Sequence, residues 1–141
     1  MLNRVRETGG LNEAKGVVHA FREMKRLGYS LEDVSLQYRG NQGLDLIFSN
    51  AGRYAVTEAK AGASLSLLKT YKGGLRQGSL DYNISRLERY LDYGDGTHNG
   101  LVNKLLDEAS MGRLESFGTF YGSRRIYELP MGWPSVPAVV R

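Results

Sequence analysis

Residues 43–61, GLDLIFSNAGRYAVTEAKA, form the stretch that decides the fold. Its first part, Gly43–Ser49, is short, apolar and rich in strand-forming residues, and residues 50–52 (NAG) then provide turn chemistry. Arg53–Ala61 resumes extended character, so the two runs predict a β-hairpin. We expect this hairpin to bring side chains of its two strands together on one face of a sheet.

Three charged side chains fall at one end of the predicted hairpin. Side chains two apart on a strand share a face, so Glu58 and Lys60 project together, and Asp45 joins them from the neighbouring strand. Two carboxylates and a backbone carbonyl, here that of Ala59, are hard oxygen ligands suited to Mg²⁺. A divalent ion beside an ammonium group is suited to phosphodiester hydrolysis. The alternative is a cross-strand ion pair between Asp45 and Lys60 on a solvated face.

Glu58-Ala59-Lys60 is one of three Glu-x-Lys triplets in the chain. The other two, Glu13-Ala14-Lys15 and Glu23-Met24-Lys25, fall in Leu11–Leu27, where apolar residues at three- and four-residue spacing predict an amphipathic helix. Residues two apart diverge around a helix axis, so only the strand triplet places its Glu and Lys side by side. A carboxylate in an apolar strand is costly without a partner, which favours a role for Asp45.

The remaining sequence predicts a mixed α/β fold in the order helix, strands, helices, strands. Gly28 ends the first helix, and Val34–Arg39 favours a strand before the hairpin. Ala61–Gly78 is rich in Gly, Ser and Lys and predicts a loop with a short helical piece at Leu65–Leu68.

Two more helices and two more strands are predicted after this loop. Ser79 and Asn99 are the expected N-caps of the helices, which end at Gly94 and Gly112. Two strands are expected over Phe117–Tyr121 and Ile126–Leu129. The segment from Pro130 is expected to form a tail on the surface.

Length and composition limit the class of protein. The chain has 141 residues, and we expect residues 1–141 to form a single domain with one core. A hydrophobic content of 41% and a charged content of 24% are typical of a soluble globular protein. No apolar run reaches membrane-spanning length, and Met1–Gly10 lacks the apolar stretch of a secretory signal. Without cysteine, disulfides and thiolate metal sites are excluded, so any metal must bind mainly to carboxylates.

Basic residues concentrate between Lys69 and Arg89, although the formal net charge of the whole chain is only +4. The five basic residues of this part are Lys69, Lys72, Arg76, Arg86 and Arg89, and the tyrosines among them are Tyr71, Tyr82 and Tyr90. Such a stretch is suited to binding along the phosphate backbone of a nucleic acid. The alternative is a solvated helix face with tyrosines half in the core.

The order Gly43-Leu44-Asp45, hairpin, Glu58-Ala59-Lys60 resembles the PD-(D/E)XK nuclease superfamily, with leucine at the position of the proline in the family's name. The resemblance implies a restriction-endonuclease-like α/β core, a mixed sheet flanked by helices. It also implies metal-dependent endonuclease activity, with Asp45, Glu58 and the Ala59 carbonyl binding Mg²⁺, or else Mn²⁺ or Zn²⁺. Lys60 would then act on the attacking water or on the phosphate.

Members of this superfamily add an acidic residue from the first helix. Two positions of this chain could supply it, Glu13 near the start of the predicted helix and Glu23 one turn before its end. Glu13 is favoured here, and the alternative for either is an ordinary exposed helix glutamate.

A second resemblance lies downstream. Arg76-Gln77-Gly78-Ser79, followed by Tyr82, Ile84 and Arg86-Leu87, is similar to the helix entry of nuclease toxin domains in bacterial contact-dependent inhibition and related polymorphic toxins. This resemblance implies that Gln77 lies at the active site and that Lys69, Lys72 and Arg76 bind substrate.

The same resemblance implies a cellular location and a protein partner for the domain. It would be exported as part of a larger bacterial toxin, delivered to the target-cell cytoplasm and blocked by a cognate immunity protein, acidic enough to cover the basic site. The substrate is expected to be DNA, by analogy with the superfamily, and the alternative is transfer RNA.

Two other functions remain open from the sequence. A metal-independent ribonuclease could use His98 and Asp95 as an acid/base pair, with His19 as a second imidazole. A non-catalytic module could bind nucleic acid through its basic residues without cleaving it.

Overall fold

The structure is a computed structural model that describes residues 10–32, 36–39 and 42–141. It begins with helix α1, Gly10–Arg26, close to the predicted bounds. The buried apolar residues of this helix are Ala14, Val17, Ala20 and Met24. Gly28 follows at φ +94°, a left-handed conformation that glycine adopts without steric cost. The prediction of an amphipathic helix stopped by this glycine is confirmed.

Six strands form one mixed sheet. In spatial order they are Ser30–Leu31 (β1), Leu46–Asn50 (β4), Arg53–Lys60 (β5), Glu115–Phe120 (β6), Arg125–Glu128 (β7) and Val139–Val140 (β8). Neighbouring strands are antiparallel except β5 and β6, which run parallel. A separate two-stranded sheet pairs Leu36–Arg39 (β2) with Gln42–Leu44 (β3). The predicted mixed α/β class is confirmed.

Strands β4 and β5 form the predicted hairpin, with Leu46 opposite Thr57 and Asn50 opposite Arg53. Ala51 and Gly52 make the turn at φ +52° and φ +84°. Positive φ at both loop residues gives a two-residue turn whose twist matches that of the flanking strands.

The predicted strand Gly43–Ser49 is wrong in one respect, because the chain bends at Asp45 and divides it between β3 and β4. Gly43 has a φ of +126°, and a Cβ at this position would lie 2.1 Å from the Leu36 carbonyl oxygen. Only glycine tolerates this close approach of β2. The bend leaves Asp45 beside the hairpin rather than within β4.

Two helices connect β5 to β6. Leu80–Tyr93 (α2) starts after the predicted cap Ser79, whose Oγ accepts a hydrogen bond from the Tyr82 amide at 3.1 Å. The predicted cap Asn99 is wrong, because it is the first helical residue of Asn99–Ser110 (α3) and His98 occupies the cap position. The His98 amide instead donates to the Tyr90 hydroxyl at 3.1 Å, which ties the turn to α2.

Alternation along the strands separates the core into two layers. The layer between the sheet and α1 includes Ala20, Met24, Leu46, Phe48, Ala55 and Phe117. The layer on the opposite face, covered by α2 and α3, includes Ile47, Val56, Leu87, Tyr90 and Leu105. By this alternation Asp45, Glu58 and Lys60 lie on the α2 face of the sheet.

The C-terminal segment differs from the expected surface tail. Trp133 is 9% exposed, and its Nε1 donates to the Gln77 carbonyl at 3.1 Å. It packs with Leu68, Phe120 and Leu129 in a third apolar cluster. The prolines of this segment favoured a position on the surface. Burial of the large indole is more favourable than its exposure, so the segment packs against the core instead.

The connecting segments follow the sequence predictions with small changes. The helical piece expected at Leu65–Leu68 is a 3₁₀ turn over Leu65–Leu67. Strand β2 is the described part of the strand expected over Val34–Arg39, since residues 33–35 lie outside the described residues. Within the described part of the chain, no helix is both long and apolar enough to cross a membrane.

Candidate active site beside helix α2

Asp45 and Glu58 meet where the β4–β5 hairpin ends. Leu46 lies opposite Thr57, so Asp45, one residue earlier, lies opposite Glu58. Asp45 is half-buried at the bend, and Glu58 is only 1% exposed in β5. The structure therefore brings the two acids together, and we call them the carboxylate pair.

The surroundings of Glu58 disfavour its charged form. Burial raises the pKa of the Glu58 carboxyl well above its usual range, and the neighbouring Asp45 carboxylate raises this pKa further. Lys60, on the same face of β5, and Arg86 of α2 act in the opposite direction. Burial and the neighbouring carboxylate therefore both favour the protonated form of Glu58 when no cation is bound.

Gln77 holds Glu58 from the loop before α2. Its side-chain Nε2 donates to Glu58 Oε2 at 3.4 Å, and its Oε1 accepts from the Lys69 amide at 3.1 Å. The backbone amide of Gln77 also donates to the Lys69 carbonyl at 2.8 Å. Because the Lys69 amide can only donate, it fixes which end of the Gln77 amide faces the carboxylate. The buried Gln77 is therefore a positioning residue for Glu58.

The carbonyl of Ala59 points toward the same site. The Tyr121 amide donates to the Lys60 carbonyl at 2.9 Å, so the Lys60 carbonyl faces β6. Carbonyls of successive strand residues point to opposite sides, so the Ala59 carbonyl faces the β4 side. Strand β4 begins only at Leu46, opposite Thr57, and does not extend alongside Ala59. The Ala59 carbonyl therefore faces the side of β5 on which Asp45 lies, and its role as a metal ligand stays a prediction.

The donor atoms of this site fit a hard divalent cation. Glu58 Oε1 is buried and has no hydrogen-bond partner among the described residues. An unpartnered buried oxygen beside a second carboxylate and a backbone carbonyl matches the ligands of Mg²⁺, which keeps several waters. No group of three or more His, Cys, Asp and Glu side chains in the described ranges could share one ion. The protein would therefore supply two carboxylates and leave the other positions to water and substrate.

Glu13 lies on the part of α1 that packs near the Lys60 end of β5. Gly16 of α1 packs against the end of β5, where an added Cβ would lie 3.1 Å from the Ala61 amide nitrogen. Glu13, about one turn earlier, is exposed in the first turn of α1. It does not join the carboxylate pair in a three-residue group within the described part of the chain.

Glu23 is engaged elsewhere. Its Oε2 accepts from Arg26 Nε at 2.7 Å, and its Oε1 lies 3.6 Å from His19 Nε2. Glu23 follows Gly16 by seven residues along α1, which runs away from the Lys60 end of β5. Of the two candidate helix acids, Glu13 therefore lies closer to the Lys60 end of β5, although α1 covers the face of the sheet opposite the carboxylate pair.

The three basic residues predicted to bind substrate have different surroundings. Lys72 lines a cleft of ≈ 340 Å³ that opens onto Asp45. Lys69 is exposed but is not part of the cleft lining. Arg76 is turned away from the cleft, since its Nη2 donates to the Leu65 carbonyl at 3.3 Å and its guanidinium lies 5.3 Å from the centre of the Trp133 ring. Arg76 thus packs against the C-terminal segment, and its substrate role stays a prediction.

Residues of α2 complete this cleft, which we call the α2 cleft. Its lining residues are Gly43, Asp45, Tyr71, Lys72, Leu75, Gln77, Tyr82, Ser85, Arg86 and Arg89. Tyr82, Arg86 and Arg89 follow helical spacing and share one face of α2. The sequence marked these residues as part of a basic, tyrosine-rich stretch, and their helical spacing places them on one face, but only tertiary packing brings this face to Asp45.

The histidines of the alternative ribonuclease site lie far apart in the fold. His19 belongs to α1, on one face of the sheet, whereas His98 caps α3 on the other face. Asp95 Oδ1 accepts from the Thr97 amide at 2.9 Å, and this bond lowers the pKa of Asp95. The structure therefore separates His19 from the other two residues and uses Asp95 to shape its own loop.

Comparison with protein-family models, with curated proteins and with solved structures finds no match for this chain. The geometry of the α2 cleft is therefore the basis on which a function is assigned.

Proposed function

We propose that this protein is a metal-dependent endonuclease that hydrolyses phosphodiester bonds in nucleic acid. The observation that carries the proposal is the carboxylate pair, with its unpartnered Glu58 oxygen, beside a cleft edged by Lys72, Arg86 and Arg89. Hard oxygen ligands suit a divalent ion, and clustered cations suit a phosphate backbone. The alternative ion pair between Asp45 and Lys60 is not formed: among the described residues, no salt bridge joins either carboxylate to a cation.

Each residue of the site has a role in this proposal. Asp45, Glu58 and the Ala59 carbonyl would hold Mg²⁺, with Mn²⁺ or Zn²⁺ as alternatives. When bound, the ion would neutralise charge on the phosphate and lower the pKa of a coordinated water. Lys60 would orient the attacking water or stabilise negative charge on the phosphate, and Gln77 would hold Glu58 in place. The cations of the cleft would position the nucleic-acid backbone.

The wider identity is proposed from the sequence resemblance, supported by the position of the acids on the hairpin. We propose a restriction-endonuclease-like core and a toxin domain, exported as part of a larger bacterial protein and delivered to the target-cell cytoplasm. A cognate immunity protein would cover the basic cleft with acidic side chains. DNA is the proposed substrate, and transfer RNA is the alternative for the same site.

The test compares the purified protein with its Asp45→Ala variant on plasmid DNA and on total transfer RNA, each with Mg²⁺ and with EDTA. We expect Mg²⁺-dependent cleavage of one substrate and a loss of at least about 1,000-fold in the variant. Asp107→Asn removes a comparable acid from the exposed side of α3 and is the matched control, for which cleavage should be unchanged.

The possible outcomes separate the competing functions. Cleavage that survives EDTA would contradict the proposal and move the chemistry to His98 and Asp95. Binding without cleavage in any metal would leave a basic nucleic-acid-binding module. Equal loss of activity in Asp107→Asn would show that the Asp45 effect is not specific to the carboxylate pair.

A further inference from the structure

Four tyrosines and two arginines contact one another in a continuous series that starts in the α2 cleft. We call this series the tyrosine–arginine track; its members, in order, are Tyr71, Tyr82, Arg86, Tyr38, Tyr93 and Arg39. The rings of Tyr71 and Tyr82 stack with centroids 5.6 Å apart and an interplanar angle of 20°. The guanidinium carbon of Arg86 lies 4.9 Å from both ring centres. The first three members therefore form one compact unit at the cleft.

The track continues away from the carboxylate pair along α2 and β2. Arg86 Nη1 donates to the Tyr38 hydroxyl at 2.8 Å. The Tyr38 ring lies 6.4 Å from that of Tyr93, and the Arg39 guanidinium carbon lies 4.1 Å from the centre of the Tyr93 ring. Each pair of tyrosine rings in the track is thus followed by one guanidinium group.

The two ends of the track are open to solvent. Tyr71 is 38% exposed and Tyr93 is 50% exposed, although Tyr82 between them is buried. A cluster that served only the core would bury its outer rings, because burial of an aromatic side chain is strongly favourable. The exposed rings and the exposed Arg39 are therefore available to a ligand.

The chemistry of this surface matches one class of ligand. Every nucleobase has a π face that can stack on an aromatic ring, and arginine adds cation–π and phosphate contacts. In a duplex the bases stack on one another and present only their edges in the grooves, so tyrosine rings cannot reach their faces. At 1.5 Å per residue, α2 spans about 16 Å from Tyr82 to Tyr93, enough for about five bases stacked at 3.4 Å.

We propose that the tyrosine–arginine track binds single-stranded nucleic acid, with bases stacked on Tyr71 and Tyr93 and phosphates beside Arg86 and Arg39. The inference rests on the proposed nuclease function in one respect, since the bound strand would lead into the α2 cleft and to the carboxylate pair. Binding itself is independent of cleavage and is measured separately.

The experiment measures fluorescence anisotropy of a labelled dodecamer, as single strand and as duplex, in DNA and in RNA, with EDTA present throughout. The wild type should bind the single strand more tightly than the duplex. Tyr71→Ala and Tyr93→Ala should each weaken single-strand binding by about 5-fold to 150-fold and leave duplex binding nearly unchanged. Tyr71→Phe keeps the ring and should bind as the wild type does.

Two further variants control for charge and for catalysis. Arg39→Gln should weaken single-strand binding, whereas Lys25→Gln, the same loss of charge on the exposed side of α1, should not. Asp45→Ala should lose cleavage and keep the preference for single strands. Thermal unfolding would confirm that each variant is folded.

Two results would overturn the inference: a duplex that binds as tightly as the single strand, or a Tyr71→Ala variant with unchanged single-strand affinity. Single-strand binding that depends on both tyrosines, in a protein that cleaves nothing, would support the track and contradict the nuclease proposal. The RNA and DNA arms show which sugar the track accepts.

Discussion

Two clefts on opposite faces of the sheet carry similar charges and differ in what lies beneath them. The α2 cleft combines one aspartate with Lys72, Arg86 and Arg89. The second, which we call the α1 cleft, combines Glu23 with three cations, Lys15, Arg22 and Arg124. The α1 cleft is the larger, at ≈ 440 Å³ against ≈ 340 Å³.

The groups beneath the two clefts are both buried, but their hydrogen-bond partners differ. Under the α1 cleft, His19 is 7% exposed and neither ring nitrogen has a hydrogen-bond partner among the described residues. Under the α2 cleft, Glu58 faces Asp45 and is held by Gln77. The clefts carry similar charges and the candidate site is in the smaller one, so it is identified by an acid pair that an anchored amide positions.

The largest expected effect is a loss of cleavage activity in a variant of the α2 cleft that a matched variant of the α1 cleft does not show. Lys60→Ala removes the ammonium group beside the carboxylate pair and should lower the cleavage rate by about 100-fold or more. Lys15→Ala removes a lysine from the α1 cleft and should leave this rate within about twofold. Initial rates on the preferred substrate in Mg²⁺ measure both, and an equal loss in the two variants would end the distinction between the clefts.

A smaller effect should appear in the pH dependence of stability, to which Glu58 and His19 contribute with opposite signs. Because the pKa of Glu58 is raised in the folded state, its contribution to stability is full below the unfolded pKa near 4.5 and is lost as pH rises toward the folded value. Glu58→Gln does not titrate, so its melting temperature without metal should rise relative to the wild type as pH increases. A tenfold difference in proton affinity between the folded and unfolded states corresponds to about 1.4 kcal/mol, or about 4 °C in this size range.

His19 should show the reverse trend. Burial lowers its pKa from 6.5, Glu23 opposes this, and Arg124 and Arg22 add to it. The folded state therefore resists protonation, and stability is lost as pH falls below 6.5. His19→Gln should gain melting temperature relative to the wild type toward low pH. Thermal unfolding in EDTA from about pH 4.5 to about pH 9 tests both variants, and parallel curves would contradict the assigned pKa directions.

The smallest effect concerns the salt dependence of nucleic-acid binding. Lys72→Gln should reduce the slope of log affinity against log salt by about 1, because one phosphate contact is lost. Arg22→Gln in the α1 cleft should leave the slope unchanged. Anisotropy titrations at several salt concentrations with EDTA measure the slopes, and a reduced slope for Arg22→Gln would place nucleic acid on both faces of the sheet.

The hairpin and its acids could be predicted from the sequence because their signals are local. Period-two alternation and the turn residues at 50–52 set the register that places Asp45 opposite Glu58. The break of the first strand was not predictable in this way. It depends on the close approach of Gly43 to the Leu36 carbonyl, a contact between two strands.

The cations of the cleft were only partly predictable for a similar reason. Arg76 was expected to bind substrate, but its partner is Trp133, which the tail brings back from far along the chain. Arg86 and Arg89 were visible as basic residues, yet the face of α2 that they occupy becomes a cleft only when β3 and the loop at Tyr71 pack beside it. Charge is readable from sequence, whereas the direction of a charged side chain depends on tertiary packing.

The bond from the Trp133 indole to the Gln77 carbonyl also sets an order for assembly on the ribosome. Trp133 is synthesised 56 residues after Gln77, which at roughly 5–20 residues per second is a delay of about 3 to 11 seconds. The hairpin and α2 are complete before this delay ends. The loop that anchors Glu58 therefore gains its last hydrogen bond late in translation, after the two acids that it serves have already been made.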